Sequence, residues 1–158
     1  MHVTVAQERV IQLGAGQSAI MRTLMVQNRA EPFTSIREIV QLHYEGWPDF
    51  GRPAQAITIV SLVKLVNNII SRLGTSSNAP IVVHCSAGCG RSGTFCAVDS
   101  VINSKDGTDG EEDLIYQCVL RMREQRMSLV QTLRQYVLCY DCVLYYVLGK
   151  ITAEDKEF

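Results

Sequence analysis

The sequence predicts an α/β protein, strands first and helices after, and three observations carry that prediction. Residues 2–13, 18–28 and 36–44 are dense in Val, Ile, Leu and Thr, with turn-like breaks at 14–16 and at "NRAEPF". That is the pattern of β-strands, the first two forming a hairpin. From Ala56 the period changes: Ile59, Leu62, Val63, Val66, Ile69, Ile70 and Leu73 recur at helical spacing and stop before Gly74, a residue suited to ending a helix. Finally, "IVVHC" (81–85) is a short apolar run between the loop "GTSSNAP" and a glycine-rich stretch, which predicts a short buried strand.

The remaining elements come in order. A helix fits 92–104, before the polar loop "KDGTDGEED", and further helices fit 113–125 and 132–148. In the last, Leu133, Tyr136, Val137, Tyr140, Val143, Leu144 and Val147 form one apolar stripe, and the tail "AEDKEF" is expected to fray. With 158 residues and neither repeat nor linker, the chain is expected to form one domain, 1–158, large enough for a real core.

Composition excludes several function classes. Apolar residues make up 47% and charged residues 20%, a globular balance rather than a disordered one. A net charge of −1 gives no global field toward nucleic acid or an anionic membrane, so any anion site must be local. The most apolar segment, 56–73, is interrupted by Lys64, Asn67 and Asn68 and is too short to span a bilayer. The start, "MHVTVAQERV", lacks a basic region followed by an apolar run, so no secretory signal is visible. The expected setting is cytoplasmic, where six cysteines are held as thiols rather than disulfides.

Two of those cysteines frame the chemistry. In "VHCSAGCGRSGTF" (83–95) a strand-like run leads to Cys85, five small residues, Arg91, and Ser92 at the head of a helix. Ser86, Ala87, Gly88, Cys89 and Gly90 let the backbone curl with its N–H groups inward, a nest that binds a tetrahedral anion beside a helix N-terminus. The same field favours a thiolate. Arg91 supplies a planar fork for two oxygens at once, and Ser92 can donate to the sulfur. Cys85 therefore stands at the floor of an anion cradle, placed to attack phosphorus.

"HCSAGCGRSG" resembles the signature loop of the protein tyrosine phosphatases, with "WPDFGRP" (47–53) similar to that family's mobile acid loop and "QRMSLVQTLRQY" (125–136) similar to its glutamine loop. "REIVQLHY" and "GTFCAVDS" extend the likeness over most of the chain. The resemblance implies a central mixed β-sheet flanked by helices, the cysteine-dependent phosphatase fold. It implies Cys85 as nucleophile, Asp49 as general acid and then base, and Arg91 with the 86–91 amides as transition-state stabilisers. Gln131 would position the attacking water with Gln135 helping, Ser92 would ease thiolate departure, His84 would hold the loop and tune the cysteine, and Trp47 would anchor the closing acid loop. Neither metal nor cofactor is implied. The implied partners are tyrosine-phosphorylated proteins, signalling kinases among them.

The family's Asn-Arg-Tyr recognition element and its supporting glutamate loop have no counterpart; "QNRAE" (27–31) lacks the tyrosine. The chain is accordingly expected to match the C-terminal part of a catalytic domain, with unpaired strands leaving apolar surface exposed. A phosphotyrosine-binding regulatory remnant with little activity is the alternative. Two other readings are weaker. "CYDC" (139–142) with Cys85 and Cys89 offers four thiolates for zinc, but on an apolar helix without a knuckle turn. "VIQLGAGQSA" (10–19) imitates a dinucleotide fingerprint, yet the next segment reads as another strand rather than a helix, so a hairpin turn is expected.

Overall fold

The computed structural model describes residues 1–28, 30, 36–73, 80–104 and 113–154, with 150–154 described by backbone alone. The break at 28–33, the loops at 74–80 and 105–113 and the tail at 153–158 fall wholly or largely outside those residues. The chain divides into two compact units, Met1–Gly46 and Trp47–Phe158.

The first unit is a three-stranded antiparallel sheet in the order β1-β2-β3: β1 (His2–Gly14), β2 (Gln17–Gln27) and β3 (Arg37–His43). Alternating β-branched and polar residues suit the pleat. The β1–β2 hairpin closes through Ala15 (φ 53°) and Gly16 (φ 70°), the paired left-handed conformation whose twist matches that of the strands it joins. The glycine-rich stretch at 10–19 is thus a turn, as expected, and not a nucleotide loop. Arg22 on β2 bonds its register partners on both sides, Glu8 on β1 and Gln41 on β3 (3.2 Å), a cross-strand set that fixes register. Leu13, Ala19 and Met21 are buried, while Val3, Val5, Val10 and Ile39 stay exposed.

The second unit is helical: α1 (Ala56–Leu73), α2 (Gly90–Ile102), α3 (Leu114–Gln125) and α4 (Leu133–Glu154). α2 packs on α3, α4 and α1, and α1 packs on α4. Its core comprises Ile59, Val60 and Val63 of α1, Ala97 and Val98 of α2, Ile115 and Val119 of α3, and Leu138, Cys139 and Cys142 of α4. Each fully buried branched side chain contributes roughly 1.5–3 kcal/mol of transfer free energy. Asp113 caps α3, accepting from the Tyr116 amide at 3.0 Å and from the Tyr140 hydroxyl at 2.6 Å, which ties the start of α3 to α4.

Residues 81–85 depart from expectation. They form no strand, Ile81 is 51% and Val82 81% exposed, and the described sheet is antiparallel throughout. An apolar run becomes a buried strand only where a ladder takes up its N–H and C=O groups. Among the described residues no ladder does so here. The segment is extended, and it still delivers Cys85 to the mouth of α2. Among the described residues no helix is long and apolar enough to cross a membrane.

Candidate active site

Five segments of the second unit meet around a small cleft of about 140 Å3: the 47–51 loop, Cys85, the 86–91 turn, the start of α2 and the residues opening α4. Asp49, Phe50, Cys85, Ser86, Ala87, Gly90, Arg91, Gln131 and Gln135 line it. Of the residues singled out in the sequence, Cys85, Arg91, Asp49, Gln131 and Gln135 are therefore brought to one place.

The turn is shaped for an anion. Gly88 takes φ +68°, a conformation that costs a side-chain-bearing residue energy, and this directs its amide at the Cys85 sulfur, 3.2 Å away. Cys89 stands at the N-cap of α2 without a side-chain cap bond; its thiol turns instead to the Ala87 carbonyl at 3.5 Å. In the first turn of α2 the Ser92 amide turns to the Cys85 sulfur.

Burial pushes the Cys85 thiol up, but the Ser92 hydroxyl and the backbone amides of Ser92, Gly88 and Cys89 outweigh it and bring the thiol down from its ordinary 9.0 to about 7. The Ser92 hydroxyl is buried and completes no hydrogen bond of good geometry. It acts on the sulfur as a neighbouring hydroxyl dipole. The other thiols behave differently: burial pushes Cys139 and Cys142 up to about 12, and it also raises Cys96 and Cys118. All six are free. Among the described residues no cluster of His, Cys, Asp or Glu could hold a metal ion. Cys139 and Cys142 instead fill space inside the bundle.

Arg91 fastens the 47–51 loop over the turn. One guanidinium nitrogen donates to the Trp47 carbonyl at 2.9 Å, and the other forms an ion pair with Asp49. Trp47 is buried, and its indole N–H donates to the Gly51 carbonyl at 3.0 Å, closing the loop on itself. Gln135, 1% exposed, accepts from the Gln131 and Thr132 amides at 3.0 and 3.2 Å and reaches Gly51 at 3.4 Å. The helping part that the sequence suggests for Gln135 understates it. Gln135 is the buried strut, and Gln131 is the exposed member.

Three residues without a part in the sequence reading complete the scaffold. Arg126 donates to the Ala87 carbonyl at 3.1 Å, bracing the outside of the turn. Arg123 donates to the carbonyls of Leu129 and Val130 at 2.9 and 2.7 Å. Val130 holds φ +58° while 1% exposed, a strained state for a β-branched residue that persists only where its surroundings enforce it. Its amide donates to the Cys89 carbonyl at 3.2 Å, locking the segment before Gln131 to the cysteine turn. That approach requires Gly93, where a Cβ would lie 2.6 Å from the Val130 nitrogen. The available signal was the pair of arginines three residues apart just before "LVQT". His84, by contrast, is exposed and makes no hydrogen bond or ion pair among the described residues.

The family model described as "Protein-tyrosine phosphatase" matches residues 2–145. Human receptor-type tyrosine-protein phosphatase alpha is 40% identical over 131 residues, covering 83% of this chain and 16% of that protein. Human tyrosine-protein phosphatase non-receptor type 9 is 36% identical over 135 residues, covering 78% and 22%. Among solved structures, a Trypanosoma brucei protein tyrosine phosphatase aligns with a TM-score of 0.74 at 28% identity, covering 92% of this chain and 47% of that one. The catalytic domain of human protein tyrosine phosphatase non-receptor type 18 aligns with 0.70 at 34% identity, covering 89% and 47%. The chain thus spans about half of those solved chains and under a quarter of those curated relatives. It belongs to the protein-tyrosine phosphatase family.

Proposed function

We propose that the chain carries the reaction centre of a protein tyrosine phosphatase working through a phosphocysteine on Cys85. The observation that carries this reading is one thiol brought down to about 7 at the floor of a cleft that also holds Arg91 and Asp49. Near neutral pH a large share of that thiol is thiolate, the nucleophilic form. In the first step its sulfur bonds phosphorus while the bond to the phenolic oxygen breaks, and Asp49 gives that oxygen a proton. The Arg91 fork and the amides of Ser86, Ala87, Gly88, Cys89, Gly90 and Arg91 receive the charge on the equatorial oxygens.

Asp49 sits on the Arg91 guanidinium. A phosphoryl group entering that fork takes the carboxyl's place and turns it toward the leaving oxygen, while Trp47 keeps the loop over the site. In the second step water attacks phosphorus, Asp49 takes its proton, and the phosphorus–sulfur bond breaks to release inorganic phosphate. Gln131, held through Gln135, orients that water, and the Ser92 hydroxyl stabilises the departing thiolate. His84, exposed, is left with at most a supporting part. Tyrosine-phosphorylated proteins, signalling kinases among them, are the proposed substrates, and a reducing cytoplasmic setting suits a thiol nucleophile.

Hydrolysis of p-nitrophenyl phosphate near pH 6, with Cys85→Ser and Asp49→Ala in parallel, tests the reading. Turnover lost in both variants is expected. A chain that protects phosphotyrosine peptides without Cys85-dependent turnover is instead a phosphotyrosine-binding regulatory module.

A further inference from the structure

Beside the phosphate cleft lies a second one, of about 540 Å3, lined by Pro48, Gly51, Arg52, Leu133, Arg134 and Val137. Nothing in the mechanism uses it. The two clefts share a wall. The loop that presents Asp49 and Phe50 to Cys85 turns Pro48, Gly51 and Arg52 to the larger cleft, and Leu133 and Arg134 lie between Gln131 and Gln135. Whatever holds its phosphate at Cys85 therefore has its neighbouring groups beside this surface.

The lining is amphipathic. Leu133 and Val137 are one helical turn apart and are 75% and 43% exposed, an apolar floor left to solvent. Arg134 is exposed and makes no hydrogen bond or ion pair among the described residues. Arg52 pairs with Asp141 at 2.6 Å, both side chains being less than half exposed. Two cations against one anion leave one positive charge, carried by a guanidinium fork suited to a carboxylate.

We propose that this cleft is a substrate subsite for the segment flanking the phosphotyrosine, taking a carboxylate on Arg134 and an adjacent aliphatic side chain on Leu133 and Val137. The proposal rests on the phosphatase reading of the Cys85 cleft. With the phosphate anchored there, an extended peptide advances about 3.3 Å per residue. Its flanking groups are thus presented to the subsite at high effective concentration, so that even a partly screened ion pair adds measurable affinity.

The test uses the Cys85→Ser chain, which needs no turnover, and fluorescent phosphotyrosine peptides read by anisotropy. A Glu-Leu pair is moved through the positions on either side of the phosphotyrosine, with Gln-Leu peptides, the unphosphorylated peptides and phenyl phosphate as controls. At one position Glu is expected to bind roughly five-fold tighter than Gln, the upper end for a solvent-screened ion pair. That gain should vanish in Arg134→Glu and shrink with added salt, while phenyl phosphate binds both chains alike. Equal binding of Glu and Gln peptides at every position, in a chain that does prefer phosphotyrosine, overturns the subsite alone. No preference for phosphorylated peptides overturns the Cys85 reading and the subsite with it. Self-association in sedimentation that Arg134→Glu abolishes would make the occupant a second copy of this chain and overturn the peptide assignment.

Discussion

Cys85 and Cys139 carry the same side chain in opposite surroundings. Cys139 lies wholly inside the bundle of α1 to α4, its thiol donating to the Gln135 carbonyl at 3.4 Å, and burial lifts it to about 12. Cys85 is half-exposed at the end of an extended segment, where amides and a hydroxyl overcome the desolvation and bring it to about 7. Two thiols of one small unit are thus driven to opposite sides of their ordinary 9.0: burial, with Cys118 nearby, lifts the one, while hydroxyl and amide donors outweigh burial at the other. Reactivity is a property of the 85–92 turn, and stability a property of the interior.

That contrast breaks most sharply under substitution. Cys85→Ser is expected to lower kcat on an aryl phosphate by about 10^4-fold or more, as loss of a nucleophile does, with thermal stability unchanged. Asp49→Ala should cost on the order of 10^2 to 10^3-fold in kcat, since proton donation is what it contributes. Cys139→Ala should do the reverse, lowering unfolding free energy in urea by about 1 kcal/mol through the space it vacates, with kcat intact. The smallest effect is expected for Ser92→Ala, several-fold in kcat. It would also move half-maximal thiol reactivity of Cys85 to higher pH, because the largest lowering influence is gone while desolvation remains. An unmoved pH profile there would show that the backbone amides alone set the thiol.

How much the sequence discloses depends on how local each signal is. The three strands of the sheet, the hairpin turn and all four helices were legible because side-chain period and glycine position act within a few residues. The meeting of Cys85, Arg91 and Asp49 at one cleft was legible because their neighbours in sequence are also their neighbours in space, or because a resemblance joined distant segments. The 81–85 run misled, since an apolar pentapeptide reads alike whether or not a ladder receives it. Gln135 was underrated and Arg123 and Arg126 were overlooked, because their partners are backbone carbonyls and amides, which leave no mark on composition. Val130 illustrates the limit: its left-handed φ is imposed by the contacts around it and runs against the preference of its own side chain.

The most direct test is iodoacetamide labelling of the native chain across pH 5 to 9, with the extent at each of the six cysteines read by peptide mass spectrometry, with and without vanadate. Cys85 should be half-maximally reactive near pH 7 and shielded by vanadate, an oxyanion that fills the same cradle, while Cys139 and Cys142 stay unlabelled throughout. Half-maximal labelling of Cys85 only near its ordinary 9.0, with no protection by vanadate, would contradict the account.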